Sequence, residues 1–372
     1  MNDPRYTRLA ELLVRHSTRV TPGDKVLIEA NHIPTRMLTA LVEAVSAAGG
    51  IPVVDVKEPE IQRALLLSGS LEQLEARMRF MGELELHRME AMQAYISLRG
   101  ALNITELSDV PAERMALFEK HWQKPVHLER RVKHTRWVVL RWPNPSMAQQ
   151  ANMSTEAFED FYFRVCLADY AAMEKAVQPL VRRMEQADKV RILGPGTDLS
   201  FSIRGIGVVS CHGRRNIPDG ECFTAPVRDS VNGTIQFNTP TVYRGIPMDN
   251  IRLVFKDGRV VEASSSDTQA LEAILDSDEG ARYLGEFALG FNPHIQQAMR
   301  DTLFDEKIRG SLHLALGQCY EQAENHNRSS IHWDNVLLQE GGGEIWFDDV
   351  LLRKDGIFLP DDLQSLNPEA LA

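Results

Sequence analysis

The sequence predicts two domains of different class: an α/β domain with a parallel sheet over residues 1–187, and a β-rich α+β domain over residues 188–372. Three observations predict it. Helical and strand-like periodicities alternate through the first half, a helix-favouring stretch covers residues 154–187, and short alternating runs separated by turn residues take over from Lys189. A chain of 372 residues is also too long for one ordinary domain and fits two comfortably.

Leu9, Leu12, Leu13 and Val20 recur at helical spacing until Pro22-Gly23-Asp24 ends the pattern, and Val26-Leu27-Ile28 then reads as a strand. The cycle repeats with an amphipathic helix over residues 37–48, a stop at Gly49-Gly50 and a strand over residues 51–56. Residues 93–98 and 135–140 are later strands between helical segments. Such alternation predicts a parallel sheet covered by helices. The stretch 154–187, rich in Glu, Ala, Met and Leu and free of proline until Pro179, is predicted as a long helical bridge between the domains. Beyond it, residues 190–193, 200–203, 234–237, 251–255 and 260–263 alternate as antiparallel strands do, with Lys256-Asp257-Gly258-Arg259 as a hairpin turn. Residues 345–352 and 354–358 are predicted as a closing hairpin. Gly341-Gly342-Gly343 is predicted as a hairpin tip, and the basic run at residues 129–133 as a solvated face.

Composition narrows the function. Hydrophobic residues at 43% and charged residues at 25% are the balance of a soluble globular protein. A formal charge of −11 argues against nucleic acid as a partner, since phosphate contacts need a clustered basic surface. No basic flank followed by an apolar run marks a secretory signal, and no stretch has the apolar length of a membrane span. A cytoplasmic protein is expected. Cys166, Cys211, Cys222 and Cys319 form no Cys-x-x-Cys pair, so a thiolate zinc site is not expected.

Residues that can carry chemistry concentrate in the second half. In Ile331-His332-Trp333-Asp334 a strand would place the imidazole of His332 and the carboxylate of Asp334 on one face. They are either two metal ligands or a hydrogen-bonded surface pair beside a buried tryptophan. His313 interrupts the apolar run of residues 310–317, where it is either a ligand or a core histidine satisfied by a carbonyl. A Pro-Asp-Gly turn delivers Glu221 into a hydrophobic flank, and Glu286 sits among small and apolar residues; both carboxylates are solvated or aimed at a cation. Asp305-Glu306 completes the set. No Gly-x-Ser-x-Gly elbow supports a serine hydrolase, and Gly194-Pro195-Gly196-Thr197 reads as a turn.

At these residues the chain resembles the metallo-aminopeptidases typified by aminopeptidases T and S and peptidase S. The resemblance covers essentially the whole chain and is carried by residues 135–143, 153–163, 304–308 and 330–334. It implies that Glu221, in Pro-x-x-Glu-x-Phe-Thr-Ala-Pro, and Glu286, in Gly-Glu-x-Ala-Leu, are metal ligands. His313, in His-x-Ala-Leu-Gly, and the His332-x-Asp334 pair are implied to be ligands too, with Glu306 as a further one. Tyr320 falls where the family has a tyrosine suited to hydrogen-bonding an oxyanion. The implied cofactors are two divalent ions (Zn, Co or Mn) that share Glu286, lower the pKa of a bridging water and polarise the scissile carbonyl. With every carboxylate a ligand, no general base is evident. The implied partners are peptides with a free N-terminus and a second copy of the chain in a homodimer. Two other classes compete: a ring-cleaving dioxygenase of related fold holding one iron through His313, His332 and Asp334, and a binding protein without catalysis.

Overall fold

Lys25–Asn31 is buried along nearly its whole length, as expected of a strand covered on both faces. In the computed structural model, which describes residues 3–372 apart from 104 and 244, it lies inside a five-stranded sheet. Ile51–Lys57 pairs with one side of it and Ala94–Arg99 with the other, followed by Arg136–Arg141 and Asn216–Ile217, every pair parallel. The helix Leu71–Glu90 starts at a capping box made by Ser70 and Gln73. Gly82 on this helix allows close packing, because a Cβ there would meet the carbonyl of His121 at 1.9 Å. Met89, Leu27, Tyr95 and Val126 form one core cluster beneath it. Arg131 departs from the predicted solvated face. It is buried, with its guanidinium 4.4 Å from the Trp137 ring centroid and 5.2 Å from that of Tyr95.

The first compact unit runs to Leu167 and takes in Gly213–Ile217; the second comprises Ala168–His212 and Pro218–Ala372. The stretch 154–187 is three helices, Thr155–Cys166, Tyr170–Ala176 and Gln178–Gln186, rather than one continuous helix, and the boundary between the units falls within it. Asp169 interrupts it by accepting the N–H of Ala172 at 2.9 Å, and Pro179 lies in the first turn of the third helix, where its missing N–H costs nothing.

The second unit is β-rich. An eight-stranded antiparallel sheet runs in the order Arg259–Ser264, Arg252–Lys256, Asn232–Gln236, Thr197–Ser202, Lys189–Gly194, Glu344–Phe347, Val350–Lys354, Ile357–Phe358. The predicted turn between Lys256 and Arg259 is present, with positive φ at Asp257 and Gly258. The predicted strand over residues 345–352 is itself a hairpin turning at Asp348-Asp349, both at positive φ. A second antiparallel sheet has the order His332–Leu338, Ser311–Gly317, Leu284–Gly290, Glu221–Thr224, Val209–Cys211. Gly341-Gly342-Gly343 therefore links two sheets and is not the tip of a hairpin, because its flanking strands belong to different ones. Phe287 packs its ring 5.1 Å from Phe201 and 6.5 Å from Phe347, joining the two sheets through their apolar faces.

Candidate metal centre

Alternation along three adjacent strands of the smaller sheet, His332–Leu338, Ser311–Gly317 and Leu284–Gly290, sorts their side chains sharply. Phe287, Leu289, Leu312, Leu314, Leu316 and Trp333 point one way into the core. The other face carries Glu286, His313, His332 and Asp334, interleaved with Ala288, Gly290, Ala315 and Gly317. Register brings them together: Glu286 and Asp334 both lie opposite Ala315, His332 lies opposite Gly317, and Glu221 reaches the same face opposite Gly290. Small residues beside each charged one leave room for a ligand over the sheet. Larger ones would not fit, since a Cβ on Gly290 would come within 2.9 Å of three atoms, among them Ile308 O and Ser311 Oγ.

The structure places Glu221, Glu286, Glu306, His313, Tyr320, His332 and Asp334 around this face, whereas Asp305 is buried with its carboxylate accepting the N–H of Met299. Glu221, Glu286 and His313 are buried, Asp334, Glu306 and His332 partly so, and Tyr320 stays 46% exposed with its ring 4.9 Å from that of His332 and 5.5 Å from that of Phe223. One donor atom from each of Glu286, His332 and Asp334 lies within 4.8 Å of the others, as does one from each of Glu221, Glu306 and His313. His332 Nε2 is 3.3 Å from Glu286 Oε2 and 3.4 Å from Asp334 Oδ1. His313 Nε2 is 3.4 Å from Glu286 Oε1 and 3.7 Å from Glu221 Oε2. Donors sharing one tetrahedral divalent ion at ordinary bond lengths stand about 3.3–3.6 Å apart. The spacing suits such ions, and Glu286 turns one carboxylate oxygen to each imidazole.

Both rings have their orientation fixed. His332 Nδ1 donates to the carbonyl of Gln318 at 2.7 Å and His313 Nδ1 to that of Glu306 at 3.2 Å. A carbonyl can only accept, so each Nδ1 carries the proton and each Nε2 faces carboxylate oxygens. Lone pairs so opposed require a cation between them, a proton or a metal ion. Glu221 Oε2 and Asp334 Oδ1 are in addition buried without a hydrogen-bond partner.

The electrostatics are those of an interlocked cluster. Burial opposes the His332 imidazolium, but Asp334 and Glu286 outweigh it and push its pKa up to about 12. Burial likewise opposes His313, which Glu286 and Glu221 push upward. For Asp334 burial is outweighed by His332, and for Glu286 by hydrogen bonds from both imidazoles, so both carboxyls lie below their ordinary values. Burial wins at Glu221 and raises it, against Lys307 and His313.

Lys307 was not singled out in the sequence. It is fully buried, with Nζ 3.4 Å from Glu221 Oε1 and in contact with Glu306 Oε1. A Glu-Lys dipeptide is ordinary on any surface, and nothing local marks this one as interior. Cys211, opposite Glu221 on the edge strand, forms a further group with Asp219 and Glu221.

The segment leading into His332 is held by Asp278. Its carboxylate accepts the Ser329 hydroxyl at 2.8 Å and both the N–H and hydroxyl of Ser330 at 2.7 Å, and it caps the short helix Glu279–Arg282. Burial raises its pKa, but these hydrogen bonds outweigh it and lower it from 3.8 to about 2. A carboxyl depressed on folding stabilises fully above its unfolded pKa and loses that contribution as pH falls through the folded one. Asp278→Ala is therefore expected to cost about 1–2 kcal/mol at neutral pH. In urea unfolding its gap to the wild type should close as pH falls from 3.8 to about 2; a gap independent of pH would contradict this assignment.

Comparison with known proteins places the fold and the family. The chain superposes on wild-type AmpT from Thermus thermophilus with a TM-score of 0.79 at 23% identity, covering 96% of this chain and 99% of that one. It also superposes on 2,5-dihydroxypyridine dioxygenase from Pseudomonas putida KT2440 with a TM-score of 0.63 at 14% identity, covering 98% and 99%. These likenesses are of fold, and fold alone does not choose a chemistry. Aminopeptidase 2 of Geobacillus stearothermophilus is 44% identical over 112 residues, 28% of this chain and 26% of that one. Aminopeptidase PepS of Streptococcus thermophilus is 25% identical over 386 residues, 89% and 91%. The match thus spans about a quarter of the first relative's length and nearly all of the second's. The thermophilic metalloprotease (M29) family matches residues 2–341, and the chain belongs to that family.

Proposed function

We propose that the protein is a metal-dependent aminopeptidase that removes N-terminal residues from peptides. The observation that carries this is the pair of imidazoles with Nδ1 committed to carbonyls and Nε2 turned on Glu286, beside two buried carboxylate oxygens without partners. Glu286, His332 and Asp334 would hold one divalent ion, and Glu221, Glu306 and His313 a second, with Glu286 shared between them. Nitrogen and carboxylate donors suit Zn, Co or Mn. When bound, such ions polarise a scissile carbonyl and acidify a shared water until hydroxide is available at neutral pH.

The chain's own residues do the rest. Tyr320, beside His332, is kept protonated because the surroundings of its hydroxyl and the carboxylates of Glu286, Asp334 and Glu221 push its pKa up. A neutral phenol can donate a hydrogen bond to the oxyanion that forms at the carbonyl. The homodimer and the cytoplasmic setting expected above belong to the same reading. Among the described residues, no helix is long and apolar enough to cross a membrane.

The presence of Glu221 and Glu286 beside His313, His332 and Asp334 favours this reading over a mononuclear iron dioxygenase, which needs only the last three. The test is hydrolysis of a leucine chromogenic amide alongside its N-acetylated form. Cleavage of the free amide only, abolished by a chelator and restored by Zn, Co or Mn, is expected. Bound iron with no hydrolysis would move the assignment to the dioxygenase.

A further inference from the structure

The two donor groups differ in one respect. Among the described residues, no lysine or arginine lies within ion-pair distance of Glu286 or Asp334, whereas the amine of Lys307 is placed on Glu221 and Glu306. Lys307 has no solvent exposure, and its backbone is fixed by an N–H donated to Phe304 O at 3.1 Å and a carbonyl accepting from Asn292 N at 3.0 Å. Asn292 in turn bridges to Ile308. A buried ammonium is held only where carboxylates compensate it, and the carboxylates that do so are two of the three donors of the second group.

Resting on the metal-dependent reading above, we propose that Lys307 makes the two ion positions unequal. Its amine occupies the Glu221–Glu306 pair, so the Glu286–His332–Asp334 position holds a resident ion, and a second ion enters only by competing with the lysine. Lys307 acts here through the carboxylates and is a positioning residue. Protein with a single resident ion would then be the state found at low metal supply.

The test is Mn²⁺ titration calorimetry on metal-free full-length protein, together with metal content after gel filtration, for the wild type, Lys307→Met and Lys307→Gln. The wild type should retain one ion per chain and bind a second at least tenfold more weakly. The neutral variants should retain two, with the weaker step tightened by about tenfold or more. Two equally tight ions in the wild type would overturn the proposal, as would variants with wild-type stoichiometry and affinities. If both variants are insoluble, the wild-type isotherm alone decides, because equal affinities contradict the proposal without them. Absence of any bound ion in the wild type would instead sink the metal-dependent reading on which it rests.

Discussion

Glu286→Ala is expected to lower kcat/KM for the leucine amide by on the order of 10³-fold or more. The carboxylate turns Oε1 to His313, at 3.4 Å, and Oε2 to His332, at 3.3 Å, so its removal disrupts both donor groups at once. His332 and His313 keep their carbonyl partners and face a site with less charge to offset them. Retained metal should fall together with activity, and that distinguishes lost ligands from a merely displaced substrate. Glu286→Asp keeps the charge but shortens the reach, and should retain metal better than alanine while remaining slow. Near wild-type kcat/KM in the alanine variant would refute the role given to this residue.

Arg353→Met is expected to have the largest effect on stability, a loss of about 3–5 kcal/mol. The guanidinium is buried and donates to three backbone carbonyls: Gly290 at 2.7 Å, and Ser311 and Gly356 at 2.9 Å each. Methionine fills much of the volume but leaves those carbonyls without a donor, at about 1–3 kcal/mol each before relaxation. Gly290 lies opposite Glu221, and Ser311 opens the strand that bears His313, so the same substitution should also loosen metal retention. Urea unfolding measures the first effect and dialysis against a chelator the second. A shift within about 0.5 kcal/mol, the range of ordinary surface substitutions, would show that other donors satisfy these carbonyls.

Much of the fold was legible because local periodicity records which face of an element is buried. The alternation of strand and helix through the first 140 residues became the parallel sheet, and the alternation at His332-Trp333-Asp334 became the strand His332–Leu338 with both polar side chains on one face. His313 shows why a local reading leaves two alternatives open. Its Nδ1 is satisfied by a carbonyl, as a core histidine's would be, while its Nε2 faces Glu286.

The failures share a cause. The break at Asp169 depends on one capping hydrogen bond, and the helical composition around it conceals it. Gly341-Gly342-Gly343 suits a hairpin tip equally well, and only the pairing of Glu344–Phe347 with Lys189–Gly194, far away in sequence, makes it a link between sheets. Arg131 and Lys307 are charged residues in polar local text whose burial comes from distant partners, the rings of Tyr95 and Trp137 for one and Glu221 for the other. No windowed pattern contains that information. The candidate site was legible chiefly through its oddities, carboxylates and imidazoles set in apolar or small-residue runs, because burying such groups without compensation is costly.

The most direct measurement is anomalous scattering from crystals of the protein grown with Mn²⁺ or Zn²⁺. The account predicts a peak among Glu286, His332 and Asp334 at coordination distance from all three, with the Glu221–Glu306–His313 group filled only at higher metal concentration. Ordered crystals with no anomalous peak on this face of the sheet, or with metal only elsewhere, would contradict it.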